Sequence, residues 1–487
     1  MKTVRYAIPA MLLLSALLLS CGGEAGQTTE DTNNTPATTE AVTEDTSYRA
    51  EYLPEVDYNG YEYRIIGYSD HYTPVIEKET GAIIDDAIYR RNKKVEEQYN
   101  VKLTATLYPF TDYLTVSELV TKAGRAQSDD LDLAHLIFRD AYNSVLDGIV
   151  PAATALPIVD LEADDRPWYN QSMNESITID GVGLFCYTAL DNYPSGGCLF
   201  FNKQIITELD LDDPYAMVDD GTWTMDAVYK MGQEAILDID GNGKYAVGDR
   251  FAFISEWDTL SMLAYTGTGT MLVEMVDGIP TVSQNERLIE AFSKLQEYAG
   301  QPGFFLDTFN QFGWAESSRT EGINLFAAGQ SLFIVGSTNT LTKLGDMKDD
   351  YGIVPHPKWN AEQERYYCEA TAKHIYVPLA CSADLERTMV IKEALAVESL
   401  NLVYPAYYDN ALKNRYIRDE ESLRMLDLIM NTTVLDLGQD PFWDIIRTPW
   451  LDTLQSGKPN FASKVEKNLK KSQKALDELM AMVDAIK

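Results

Sequence analysis

Apolar and polar positions repeat with two periods along the first third of the chain. Tyr61-Glu-Tyr-Arg-Ile-Ile-Gly67 alternates with period two and ends in glycine, as a strand feeding a loop does. From Ile83 to Tyr99 the residues Ile84, Ile88, Val95 and Tyr99 recur at helical spacing. Val101 to Leu107 reads as a second strand, Tyr113 to Ala126 as a second helix, and Leu131 to Phe138 as a short apolar third strand. This β-α-β-α-β order predicts a parallel sheet with helices on its faces.

The pattern changes near Pro167. Ile177 to Tyr187 and Gly197 to Asn202 read as hairpin strands, Thr224 to Leu237 as a helix, and Phe251 to Ile254 as a strand. Further helices are predicted at Glu286 to Ala299 and Ser382 to Ser399. Val465, Leu469, Leu476, Leu479 and Val483 mark one face of a long helix at the C-terminal end. No repeat of solenoid period is present.

The opening residues read as targeting. Lys2 and Arg5 precede an apolar run from Ala7 to Leu19, too short to span a bilayer comfortably, so residues 1–20 are expected to be a secretory signal. It ends in Leu18-Leu19-Ser20-Cys21, which resembles a bacterial lipobox and implies lipidation of Cys21. Residues 21–50, rich in Thr, Glu and Asn, are expected to be a flexible tether, because they bury too little surface to offset the entropy of ordering.

Composition narrows the partners. The chain has 75 acidic and 40 basic residues, a net charge of −35. Such a surface repels nucleic acid and anionic headgroups, and no basic patch is read that would overcome it, so membrane contact is expected through the N-terminal lipid only. For Cys186 and Cys198, a bridge and buried free thiols both remain open. No HExxH, GxSxG, SxxK or P-loop pattern occurs, and the four histidines have no metal spacing. No searchable catalytic signature is read, and the chain is not expected to be an enzyme. An exported carbohydrate-active enzyme with two carboxylates, or a surface glycan-binding adhesin, is the alternative.

The sharpest motif is Asp238-Ile-Asp240-Gly-Asn242-Gly243-Lys244-Tyr-Ala-Val-Gly-Asp249. Oxygen side chains fall at loop positions one, three, five and twelve, with glycine at six, as in a calcium loop. Asp238, Asp240, Asn242 and Asp249 are the side-chain ligands expected, with Lys244 giving its backbone carbonyl. Only one such loop occurs, so a structural calcium is expected, bracing a helix-to-strand connection close to Trp257.

Five stretches carry a family resemblance. Thr178-Ile-Asp-Gly181 leads through Leu199-Phe-Phe-Asn-Lys203 to Gly221-Thr-Trp-Thr-Met-Asp226. Leu325-Phe-Ala-Ala-Gly-Gln-Ser-Leu-Phe333 and Asp350-Tyr-Gly-Ile-Val-Pro-His-Pro-Lys358 follow. Their order resembles the family 1, maltodextrin-type extracellular solute-binding proteins of ABC importers. The resemblance implies an α/β, two-lobed periplasmic-binding-protein-like fold with a hinge and an interlobe ligand cleft. Lobe one would comprise 57–165 plus 322–365, and lobe two 166–321 plus 366–487. It also implies a monomer at the extracellular face of the cytoplasmic membrane, with a carbohydrate ligand and ABC permease subunits as partners.

A sugar offers apolar ring faces and a rim of hydroxyls, so its site needs aromatic platforms beside planar polar groups. With 7 Trp and 29 Tyr, the chain has platforms in supply; Trp168, Trp257, Trp314 and Tyr367 are the candidates. Polar candidates come from strand ends, which line the crevice of open α/β sheets: Asp70, Arg139, Asp140, Asp191, Ser337 and Asn339.

Overall fold

The computed structural model describes residues 47–487 apart from 70–72, 192–194, 314–315, 372–373, 408–415, 440 and 459. The expected signal, Cys21 and most of the expected tether lie outside the described residues. Nine of the described strands form two sheets: β1 (Tyr61–Tyr68), β2 (Val101–Tyr108), β3 (Leu133–Ile137), β4 (Gly197–Asn202), β5 (Phe251–Ser255), β6 (Phe305–Asp307), β7 (Ser331–Ser337), β8 (Tyr351–Val354) and β9 (His374–Pro378).

The first sheet has the order β9-β3-β1-β2. β1 runs parallel to both β2 and β3, as the alternating pattern requires, and β9 closes the edge antiparallel to β3. The helices α1 (Ile83–Tyr99) and α2 (Tyr113–Ala126) fall where their periodicity places them. α1 buries Ala87, Ile88, Val95 and Tyr99, and its backbone turns left-handed at Asn100 (φ 46°) to enter β2. The core beneath joins Tyr63, Ile65, Val95 and Leu103 to Val390 and Leu395 of α7 (Leu385–Glu398).

The second sheet has the order β6-β5-β7-β4-β8 and is mixed. β4 is antiparallel to both β7 and β8, while β5 is parallel to β6 and β7. The remaining helices of the argument are α3 (Phe138–Leu146), α4 (Met225–Ala235), α5 (Glu286–Ala299), α6 (Glu316–Ala327), α8 (Glu420–Asn431), α9 (Thr448–Gln455) and α10 (Phe461–Ile486).

Two expectations are corrected by this topology. Ile177 to Tyr187 and Gly197 to Asn202 do not pair. Thr178–Ile179 and Val182–Gly183 form their own short ribbon, and the second segment is a central strand, β4. The lobe boundaries also move. Residues 331–337 and 351–354, assigned to lobe one, hydrogen-bond in the second sheet, with Phe333 opposite Phe201 and Phe253. Residues 374–378 join the first sheet instead, with Tyr376 opposite His135. All-apolar runs such as Leu332-Phe-Ile-Val335 carry no period that says which sheet they enter.

Candidate functional site

Both sheets present the C-terminal ends of their parallel strands toward the crossing segments. β4 is antiparallel to β7, so its start at Gly197 lies at the C-terminal end of β7; β9 starts at His374, opposite Ile137 at the end of β3. Ala370 is bridged to Gly196 at the second sheet, and His374 enters the first only four residues later. Four residues span at most about 14 Å. The two strand-end edges are therefore joined by a short connection, and strand ends are where open α/β sheets place a ligand crevice.

At the crossing, Ser195 is the common partner. Its hydroxyl lies 2.7 Å from the Thr371 hydroxyl and accepts from Asn339 Nδ2 at 3.2 Å, while the Thr371 N–H donates to the Ser195 carbonyl at 3.2 Å. Ser337 ends β7 and caps the turn at Thr338–Lys343. Side chains are tight here: a Cβ on Gly197 would fall 2.8 Å from His356 Cε1. Ser337 and Asn339 thus sit at the edge, tied to the segments that join the sheets.

Arg139 and Asp140 open α3 directly beyond β3. Arg139 is half-buried and its Nε donates to Asp140 Oδ1 at 3.1 Å; Asp140 is buried, and burial raises its carboxyl above the ordinary range. One turn on, Tyr142 meets Phe442 edge-on at 5.4 Å. This contact joins the first sheet's edge to the π-helical turn Trp443–Arg447, which neither periodicity nor motif had marked.

That turn is the centre of the candidate site. Trp443 keeps 38% of its surface exposed, and the Arg447 guanidinium carbon lies 4.0 Å over its ring. Arg447 itself is 1% exposed. Its Nη2 pairs with the Asp258 carboxylate and donates to the Asp258 carbonyl at 3.0 Å, leaving Nε and Nη1 without a hydrogen-bond partner among the described residues. Burial lowers its pKa to about 9. Asp258 follows Trp257, whose ring meets Phe305 at 4.6 Å beyond the end of β5. An open indole, a backed guanidinium and a carboxylate are thus placed at one strand-end edge. π-Turns are rare and concentrate at functional sites. The only sequence signal was Trp443 and Arg447 at i and i+4.

Other candidates fall elsewhere. Trp168 is 2% exposed, and its Nε1 donates to Glu393 Oε1 at 2.8 Å inside the first core. Asp191 is 1% exposed and accepts from the Tyr376 N–H at 2.6 Å and from Thr188 N–H and Oγ1 at 2.8 Å, bracing β9. The expectation that Trp168 and Asp191 lie open at element ends is corrected: both are buried by packing that sequence order does not reveal. Tyr367 lies under Arg365, 4.5 Å from ring centre to guanidinium, beside Gly269. Asp70 and Trp314 lie outside the described residues.

The acidic loop forms a closed ring. Leu237 and Arg250 exchange backbone hydrogen bonds at 3.0 Å, pinning its ends. Within it, carboxylate oxygens of Asp238, Asp240 and Asp249 lie within 4.8 Å of one another. Asp238 accepts from Gly241 and Gly243 N–H, which holds its carboxyl below the ordinary range, and Asn242 Oδ1 accepts from the Lys244 N–H at 2.7 Å. The expected closeness to Trp257 is corrected. Asp249 precedes β5 and Trp257 follows it, so they are separated by the strand, about 17 Å for five residues.

Among the described residues no helix is long and apolar enough to cross a membrane. Cys186, Cys198 and Cys368 are buried free thiols and Cys381 is half-buried and free, so the Cys186–Cys198 bridge does not form.

No protein-family model matches the chain, and no curated protein matches it by sequence. Solved structures do match. A maltose/maltodextrin-binding domain from Bdellovibrio bacteriovorus bound to maltotriose is 14% identical, covers 85% of this chain and 100% of its own, and superposes with a TM-score of 0.53. An ABC substrate-binding protein from Listeria monocytogenes in complex with cycloalternan is 14% identical over 87% and 99%, TM-score 0.54. A sugar transporter from Rhizobium etli in an open conformation is 15% identical over 84% and 99%, TM-score 0.56. The fold is therefore the α/β, two-lobed fold of these solute-binding proteins.

Proposed function

We propose that the chain is the extracellular substrate-binding component of an ABC importer and captures a carbohydrate, an oligosaccharide, between its lobes. The observation that carries this reading is a fold shared over 85% of the chain with a protein solved holding maltotriose. The site supports it. Trp443, backed by the buried Arg447, offers an open ring face for a sugar's apolar face, and Asp258 and Arg139 supply polar groups for hydroxyls. Ser337 and Asn339, tied through Ser195 to the crossing segments, sit where lobe closure would be felt. The role is binding and not catalysis, and the molecule acts as a monomer. Lipid on Cys21 holds it at the extracellular face of the cytoplasmic membrane, within reach of permease subunits.

Calcium in the Asp238–Asp249 loop belongs to the same proposal. Three clustered carboxylates, one of them only 5% exposed, form a hard oxygen set of the kind calcium takes, with Asn242 and the Lys244 carbonyl completing it. The ion would fix the turn between α4 and β5 and supply no chemistry.

A panel of oligosaccharides, peptides and polyols screened by thermal shift tests the ligand. A true ligand raises the melting temperature in proportion to ln(1 + [L]/Kd). A peptide that shifts it when no oligosaccharide does would sink the sugar claim. Release of product from a labelled glycan would support the enzyme reading instead.

A further inference from the structure

Among the described residues, a concentration of basic side chains lies on α10. Lys458, Lys464, Lys467, Lys470, Lys471 and Lys474 fall within its approach and first four turns, against a single acid, Glu466. At 100° per residue, the last five occupy about a third of the helix circumference. The opposite side packs: Phe461, Ser472, Leu476, Leu479 and Val483 are buried. Lys467, Lys470, Lys471 and Lys474 are exposed. Lys474 has one exposed partner, Glu478 at 3.4 Å, while Lys464, Lys467, Lys470 and Lys471 make no ion pair among the described residues. The result is a straight basic stripe about 15 Å long on a convex face. It corrects the expectation that the chain has no basic patch.

We propose that this stripe docks on an anionic phospholipid surface, laying α10 against the headgroups and fixing how the molecule is oriented at the membrane. The proposal stands apart from the sugar reading. Three observations favour lipid over other anions. The stripe is all lysine, point charges on flexible stems, with no guanidinium forks for bidentate recognition. The residues within and beside it on the helix, Ser463, Glu466 and Asn468, include no aromatic on which a base could stack. A convex helix also matches a flat partner better than a groove does. With 75 acidic residues repelling the surface elsewhere, this is the face that can approach it, and screening within about 10 Å lets a local stripe act despite the net charge.

The test is partitioning of the full chain onto phosphatidylcholine vesicles with and without phosphatidylglycerol, at low and high salt. Any N-terminal lipid or apolar contribution acts on both compositions, so the excess on the anionic vesicles reports the stripe. The expected result is an excess that high salt abolishes and that the triple substitution Lys467→Gln, Lys470→Gln, Lys471→Gln lowers about a hundredfold, about fivefold per lysine. These side chains are exposed and unpaired, so melting should not change; the high-salt arm gives an independent readout on the unaltered chain. No excess on anionic vesicles, or an excess the triple variant keeps, would overturn the proposal. So would salt-sensitive self-association lost in the triple variant without vesicle binding, which would assign the stripe to a second copy of the chain.

Discussion

Two places in the molecule combine a tryptophan, an arginine and a carboxylate, and they do opposite things. At Trp168 the indole N–H donates to Glu393 at 2.8 Å, Arg166 stands 3.9 Å from the same carboxylate, and the Tyr52 hydroxyl donates to it as well. Arg166 also lies 4.1 Å over the Tyr52 ring; Trp168, Arg166 and Glu393 are all buried, and Tyr52 is the member that reaches solvent. At Trp443 the same residue types are backed from beneath by Arg447 and Asp258, and the ring stays open. Residue chemistry alone does not separate a structural network from a ligand platform. Exposure does, and exposure is a property of packing.

The sharpest way to break the comparison is to remove the carboxylate at the closed place. Glu393→Ala strands Arg166 in the core and leaves the Trp168 and Tyr52 donors unpaired, so a denaturant titration should show a loss of about 3–5 kcal/mol. A loss under about 1 kcal/mol would mean the network is solvated and the contrast false. At the open place the order of effects reverses. Trp443→Ala should cost under about 1 kcal/mol in stability yet weaken oligosaccharide binding by about 30-fold, about 2 kcal/mol, read by calorimetric titration.

Calcium sharpens the contrast at a third place. Chelation should lower the melting temperature by a few degrees, about 1 kcal/mol, and Asp249→Asn should remove that sensitivity. Because the loop lies a strand's length from Trp257, sugar affinity should stay within about twofold.

The smallest effect is with pH. Asp436 is buried among the N–H groups of Leu272, Val273 and Gly438; burial first, and Glu369 second, push its carboxyl up to about 7. That lies above the ordinary 3.8, so the folded state holds the proton more tightly. The stability it contributes is present in full below about pH 4 and is lost as pH rises through 7. His356 has the opposite slope. Burial lowers its pKa to about 3 from 6.5, so its contribution is full above pH 6.5 and falls as pH drops toward 3. Asp436→Asn should reduce the difference in denaturant midpoint between pH 5 and pH 8; an unchanged difference would contradict the assignment.

The first sheet was legible because its contacts are local. The α1 and α2 boundaries are those of the periodicity, and β1, β2 and β3 follow in the parallel order that short crossovers impose. The second sheet was not, because β4, β7 and β8 are brought together from residues more than a hundred positions apart, and a continuous apolar strand fits either sheet. The same limit explains the site. Ser337, Asn339, Arg139 and Trp257 were legible as residues at or just beyond strand ends. Trp443 was missed because its platform depends on Tyr142 meeting Phe442, a contact between segments 300 residues apart, and on a π-turn that leaves no periodicity. Trp168 was misread because the Glu393 that claims it lies on α7.

The most direct test of the central claim is the melting-temperature shift produced by a maltodextrin-type oligosaccharide, measured side by side on the unaltered chain and on Trp443→Ala. The account predicts a concentration-dependent rise in the first and its near loss in the second, from similar starting temperatures. An equal rise in both, or no rise with any oligosaccharide, would contradict it.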